Sequence, residues 1–90
     1  MNNTRRKSIL AVAEKISTVK EELESLMQDI DVIKNDEEEY RDNIPENMQG
    51  GERYEASETA VENLDEAYSC LEDIVGSLEE VGSYLDEATN

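Results

Sequence analysis

The feature that most constrains the fold is a heptad pattern of large apolar residues in the first half of the chain. These residues alternate at spacings of three and four, through Ile9, Val12, Ile16, Val19, Leu23, Leu26, Ile30 and Ile33. Such spacing is typical of an α-helix that packs along one stripe, so both heptad positions are expected to form the core until Glu37 takes the next slot. The pattern predicts a helix over residues 4–42, with Asn2, Asn3 or Thr4 as its N-cap.

The second half repeats the helical pattern with a broader apolar stripe. Its expected core consists of Val61, Leu64, Tyr68, Leu71, Val75, Leu78 and Leu85. A flanking stripe of smaller residues runs beside it, through Ala60, Ala67, Ile74, Val81 and Ala88. Small side chains let a further helix approach closely, so this predicted helix, over residues 52–88, can contact more than one neighbour.

The only dense cluster of helix-breaking residues separates the two halves, at residues 43–51. Pro45 lacks an N–H and disfavours a helical Ile44, whereas Gly50 and Gly51 can adopt positive φ angles. Two long helices joined by a short connection predict an all-α antiparallel hairpin in a single domain, residues 1–90. Such a hairpin leaves the sides of its apolar stripes exposed to solvent. We therefore expect a homo-oligomeric helical bundle, the alternative being a marginal monomer that a partner orders.

Charge is distributed unevenly along this acidic chain, which has 24 Asp and Glu against 8 Lys and Arg. Residues 1–20 carry a net +4, residues 21–53 a net −9 and residues 54–90 a net −11. Direct DNA or RNA binding requires cations that neutralise phosphates, so the acidic surface argues against it. Rows of carboxylates can instead compete for a basic groove on a nucleic-acid-binding protein, and Glu62, Asp65, Glu66 and Asp73 are the candidate contacts.

The first predicted helix is charged against its own dipole. Arg5, Arg6 and Lys7 open it and residues 36–39 close it with acids, although cations favour helix C-termini and anions favour N-termini. Four explanations remain open: pairing with the acidic end of the second helix, pairing with residues 36–39 of another chain, an anionic ligand, or plain solvation. An anion site at this helix start would consist of Arg5, Arg6 and Lys7, with Arg53 as a further candidate.

Composition excludes several kinds of chemistry. The chain has no His, which removes histidine-based metal sites and catalytic triads, and its one cysteine, Cys70, has no evident base. A calcium loop opening at Asp29 would need Gly and Glu where Lys34 and Tyr40 stand. We expect no enzymatic activity, cofactor or metal. No membrane span or export signal is recognisable, so cytosol is the expected compartment.

Several polar and apolar positions resemble small acidic proteins of Firmicutes, their prophages and their integrative elements. They are Asn2, Arg5, Arg6, Lys7, Asp36, Glu37, Glu38, Tyr40, Asp42, Asn43, Pro45, Glu46, Gln49, Glu52, Arg53, Glu55, Leu64, Ala67 and Leu71. The resemblance covers nearly the whole chain and is most specific around Asn43, Pro45, Gln49 and Arg53. It implies a phage or mobile-element context, in which small acidic proteins often inhibit host defence.

These observations lead to three hypotheses for the function. The first is a counter-defence inhibitor that presents an acidic, DNA-like surface to a host nuclease or another nucleic-acid-binding protein. The second is an oligomeric sponge that sequesters an anionic cyclic nucleotide at the basic helix start. The third is a structural or assembly factor that uses the hairpin as a docking rod.

Overall fold

A computed structural model describes all residues, 1–90, as a rod of two helices. Helix α1 spans Asn3–Asp42, a 3₁₀ turn spans Glu46–Met48, and helix α2 spans Glu52–Thr89. The helices pack antiparallel along their length and the rod measures 70 × 14 × 14 Å. The predicted all-α antiparallel hairpin is therefore confirmed. Neither helix contains an apolar stretch of the length needed to cross a membrane.

Local polar contacts define where α1 begins and how the chain turns. The Asn2 side chain accepts a hydrogen bond from the Arg5 N–H at 2.8 Å, so Asn2 is the N-cap. In the connection, the Gln49 side chain donates to the Ile44 carbonyl at 3.3 Å, and Ile44 itself is buried. No glycine has a positive φ, so the turn does not use the conformational freedom that the sequence offers at Gly50 and Gly51.

The inner seam of α2 is the one that its sequence predicts. All seven expected core residues are buried or half-buried, and Ser57, Gly82 and Thr89 continue the same line at spacings of three and four. Residues of the flanking stripe are mostly exposed, as Ile74 and Val81 show. The hairpin therefore buries one line of α2 and leaves its neighbour without a partner.

The inner seam of α1 differs from the prediction at one of its two heptad positions. Residues at the Ile9 position are half-buried as expected. The other expected position is exposed: Val12, Val19, Leu26 and Ile33 are 46–53% accessible, and Tyr40, one heptad further on, is 44% accessible. The line that faces α2 instead lies one residue further on, and its members are Ala13, Lys20, Met27, Lys34 and Arg41.

Two features explain why this more polar line lies inside. The aliphatic parts of the lysine and arginine side chains pack across the seam, and their charged ends reach solvent or an acid at its edge. Glu37, the acid that interrupts the predicted core, accepts a hydrogen bond at 2.8 Å from the hydroxyl of Ser57, which is 2% accessible. The polar groups of Glu37 and Ser57 in this narrow seam are thus paired, and α1 leaves its more apolar line free.

Candidate functional site: an acidic face and an apolar face

All acidic residues of α2 lie on one side of that helix. They occupy only three of the seven heptad positions, which lie one, four and five residues after the seam residue Val61. The set is Glu52, Glu55, Glu58, Glu62, Asp65, Glu66, Glu72, Asp73, Glu79, Glu80, Asp86 and Glu87. All of them except half-buried Glu58 are exposed. We call this side of the hairpin the acidic face.

Two lysines of α1 connect the seam to the acidic face. Lys34 Nζ lies 3.0 Å from Asp65 Oδ1 and 3.7 Å from Glu38 Oε1, and Lys20 Nζ lies 3.4 Å from Glu79 Oε1. The hydrogen bond to Asp65 raises the pKa of Lys34 above its ordinary value, against a smaller opposing effect of desolvation. These contacts show that the edge of α2 bearing Asp65 and Glu79 adjoins α1.

The four residues predicted to contact a basic partner share the acidic face. Glu62, Asp65, Glu66 and Asp73 lie within an arc of about 100° on α2, because successive helical residues are about 100° apart. All four are exposed. Asp65 is paired with Lys34, whereas Glu62, Glu66 and Asp73 form no ion pair. Three of the four carboxylates are therefore available to an external cation.

The density of charge on the rod can be compared with that of a nucleic acid. A net charge of −16 over 70 Å corresponds to about one negative charge per 4.4 Å. A single DNA strand carries about one charge per 3.4 Å, and a duplex about one per 1.7 Å. The hairpin is thus closer to one strand than to a duplex in its linear charge density.

The cations predicted to form an anion site do not come together within one chain. Arg5, Arg6 and Lys7 lie at the open end of the hairpin, where the termini are, and form no ion pair, although the Nε of Arg6 is shielded from solvent and has no acceptor. The basic cluster is therefore not neutralised by the acidic end of α2, where Glu79 pairs with Lys20 instead.

Arg53 lies at the opposite end, beside the connection, roughly 50 Å along the rod from Arg6. Its Nε donates to the Tyr40 hydroxyl at 2.6 Å, and its guanidinium lies 5.3 Å from the centre of the Tyr40 ring. The guanidinium thus has a partner within its own chain. This contact also shows which residue lines adjoin on one side of the hairpin. They are the exposed Val12 line of α1, to which Tyr40 belongs, and the flanking stripe of α2, which Arg53 precedes by one heptad.

That side, opposite the acidic face, carries the two apolar lines left without a partner. We call it the apolar face. It consists of Val12, Val19, Leu26, Ile33 and Tyr40 from α1 and Ala60, Ala67, Ile74, Val81 and Ala88 from α2. Its large members are 39–53% accessible. On α2, carboxylates and apolar residues are therefore segregated to opposite sides of the helix.

Sequence reasoning missed two parts of this arrangement. Lys20 and Lys34 were not recognised as seam residues, although their seven-residue spacing from Ala13, Met27 and Arg41 repeats the heptad. The second omission is the outer edge of α2 beside the apolar face. This edge is uncharged and consists of Ala56, Asn63, Cys70, Ser77 and Tyr84. In a chain of which 36% of the residues are charged, such an uncharged edge is itself a signal.

Other groups that could carry chemistry are isolated. Cys70 is an exposed free thiol, and no group of three metal-ligating side chains has the geometry of a metal site. A shallow groove on the acidic side, between Ile16, Lys20, Leu78 and Gly82, is open to solvent. The arrangement therefore offers surfaces for macromolecular contact. No protein-family model, curated protein or solved structure matches this chain.

Proposed function

We propose that this chain is a non-enzymatic interaction protein whose acidic face occupies the nucleic-acid-binding groove of a basic protein. The observation that carries the proposal is the restriction of every α2 carboxylate to one side of the helix. Together these carboxylates form one continuous acidic surface, which is the complement of a groove lined by Arg and Lys side chains. The resemblance to phage and mobile-element proteins supports a counter-defence role, with a host nuclease as the target.

The physical basis is competition for phosphate-binding cations. A basic groove that holds DNA or RNA gains affinity by neutralising phosphates, and carboxylates spaced along a rigid rod can engage the same Arg and Lys side chains. The α2 acids recur in adjacent pairs at Asp65, Glu72, Glu79 and Asp86, each followed by a second acid. The pairs are seven residues and thus about 10 Å apart. Such complementarity accelerates association and makes it strongly dependent on salt.

The test is displacement of a labelled DNA duplex from a panel of purified bacterial restriction nucleases and other DNA-binding proteins. Fluorescence anisotropy measures the displacement. The variant carries Glu62→Gln, Asp65→Asn, Glu66→Gln and Asp73→Asn. A control with the same change in net charge carries Glu22→Gln, Asp29→Asn, Asp36→Asn and Glu39→Gln on α1. We expect the native chain to displace the duplex from at least one protein, and the α2 variant to require at least tenfold higher concentrations.

The control separates a shaped surface from bulk charge. Retention of displacement by the α1 variant, together with weakening as salt rises, supports the proposal. Equal weakening of both variants would show that net charge alone is responsible, and an absence of displacement across the panel would contradict the proposal directly.

The nucleotide sponge is the second candidate, and the unneutralised basic cluster favours it. Arg5, Arg6 and Lys7 have no acidic partner within the chain, so an anion at the helix start would supply one. A panel of cyclic dinucleotides should then raise the melting temperature of the native protein, and Arg5→Ala with Arg6→Ala should remove that effect. Unchanged melting temperatures across the panel would exclude this candidate.

A further inference from the structure

The apolar face is large enough to hold a stable protein interface. From Val12 to Tyr40 it runs for about 40 Å, and two helices side by side make it roughly 20 Å wide. Its footprint is therefore on the order of 800 Å² per chain, or about 1,600 Å² when two such faces meet, which is the size of a standard interface. Leu26, Ile33 and Ile74 are 50%, 53% and 47% accessible on it. The largest apolar patch of a typical monomer is only about 300–600 Å².

The charges along the rim of the apolar face indicate what covers it. The outer edge of α1 carries Lys15, Glu22, Asp29 and Asp36, whereas the outer edge of α2 is uncharged and consists of Ala56, Asn63, Cys70, Ser77 and Tyr84. A second copy can therefore lay its α2 along this chain's α1 without bringing like charges together.

The vertical register of the hairpin supports the same pairing. The Ser57 hydroxyl contacts both the carbonyl and the carboxylate of Glu37, and α1 ends at Asp42 where α2 begins at Glu52, so residues whose numbers add up to about 94 lie level. Leu26 therefore lies level with about residue 68, beside Ala67. A two-fold axis parallel to the helices then sets Leu26 against the second copy's Ala67 and Ile33 against its Ala60. Large residues of α1 thus pack opposite smaller residues of α2.

We infer that the apolar face binds a second copy of this chain, in a four-helix bundle that has both connections at the same end. Each α1 lies antiparallel against the α2 of the other copy, and the two acidic faces point outwards on opposite sides of the bundle. The inference goes beyond the proposed function because it assigns an occupant to the opposite face. It also keeps Arg53 and the basic helix start at opposite ends of the assembly.

The natural Cys70 allows a direct test of this arrangement. Glu22 and Cys70 lie on the two outer edges of one hairpin, facing away from each other, but the register places Glu22 about two residues, or roughly 3 Å of helix rise, from the level of Cys70 of the second copy. We expect Glu22→Cys to give disulfide-linked dimers under mild oxidation, cross-linked through Cys70. Glu24→Cys, on the acidic side of the same helix, is the matched control and should give none.

Solution mass measurements complete the test. The native chain should have twice its 10.2 kDa monomer mass by analytical ultracentrifugation, and Leu26→Glu should halve that mass while circular dichroism stays helical. A monomeric native chain would overturn the inference. A dimer that lacks the Glu22→Cys cross-link, or shows it equally with Glu24→Cys, would overturn the proposed pairing.

The salt dependence separates this inference from the proposed function. Two chains of charge −16 repel each other, so raising the salt from about 0.05 to about 0.5 M should strengthen the dimer. The same change should weaken binding to a basic partner. Dimer formation and partner binding therefore respond to salt in opposite directions, so each proposal is tested by its own measurement.

Discussion

The connection end of the hairpin and its open end differ in how completely they are packed. The three buried residues of the chain, Ile44, Ser57 and Val61, all lie at the connection end. At the open end no residue is buried, and Gly82 occupies a seam position without a side chain. The two helices have the same heptad pattern throughout. The difference therefore comes from the connection, which folds Ile44 back over the end of the seam.

Polar contacts between the helices follow the same gradient. Near the connection, Ser57 bonds to Glu37, Arg53 to Tyr40 and Lys34 to Asp65. Towards the open end, the only ion pair between the helices joins Lys20 and Glu79. Stability within one hairpin is therefore concentrated at the connection, and local opening should begin at the termini. Contact with a second copy would compensate most where the single hairpin is weakest.

Ile44→Ala removes the side chain that closes the connection end and should have the largest effect on stability. Ile44 is 4% accessible, and truncation of a buried isoleucine costs about 2–4 kcal/mol. We expect a fall of this size in the free energy of unfolding, measured by urea denaturation at fixed protein concentration. Val32→Ala, at a 59% accessible position, is the control and should change it by less than about 0.5 kcal/mol. Similar losses in both variants would show that the connection end is not the more stable one.

The helical arms and their connection were predictable from the sequence because local signals determine them. Pro45 and the heptads are readable within one segment, and α1 ends at Asp42 as expected. Which line of α1 faces α2 was not predictable by the same means. The Val12 line is more apolar than the Lys34 line, but contacts with Asp65, 31 residues away, favour the latter.

The candidate site shows the same limit. The exposed acids of α2 could be located from spacing alone, and Glu62, Glu66 and Asp73 lie where that spacing predicts. The partner of Arg53 could not be predicted in this way, because the turn of the chain is what brings Tyr40 close to Arg53. Pairing between α1 and α2 depends on the length and path of the connection, which the heptad pattern does not encode.

Gly82→Ala should stabilise the open end and so reduce the difference between the two ends. A Cβ at Gly82 would meet no atom within 4 Å, and alanine is favoured over glycine inside a helix by about 0.5–1 kcal/mol. We expect a gain of that size and slower amide hydrogen exchange around residues 76–89. The matched substitution at the connection end, Gly51→Ala, should destabilise, because Gly51 is the N-cap of α2 and its Cβ would lie 3.3 Å from the Met48 carbonyl oxygen. Equal gains from both substitutions would contradict the comparison.

The smallest expected effect is the pH dependence of the Lys34–Asp65 contact. The hydrogen bond to Asp65 raises the pKa of Lys34 in the folded chain above its ordinary value of 10.5, so Lys34 holds its proton more tightly when folded. Its contribution to stability is therefore complete below pH 10.5 and is lost as the pH rises through the folded-state pKa. The melting temperature of the native chain relative to Lys34→Met should be constant from about pH 7 to about pH 9.5 and should fall above about pH 10.5. Lys15→Met, which removes an exposed lysine without an ion pair, should show a much smaller change over the same interval, and a native-chain advantage that persisted to about pH 12 would contradict the assigned role of Lys34.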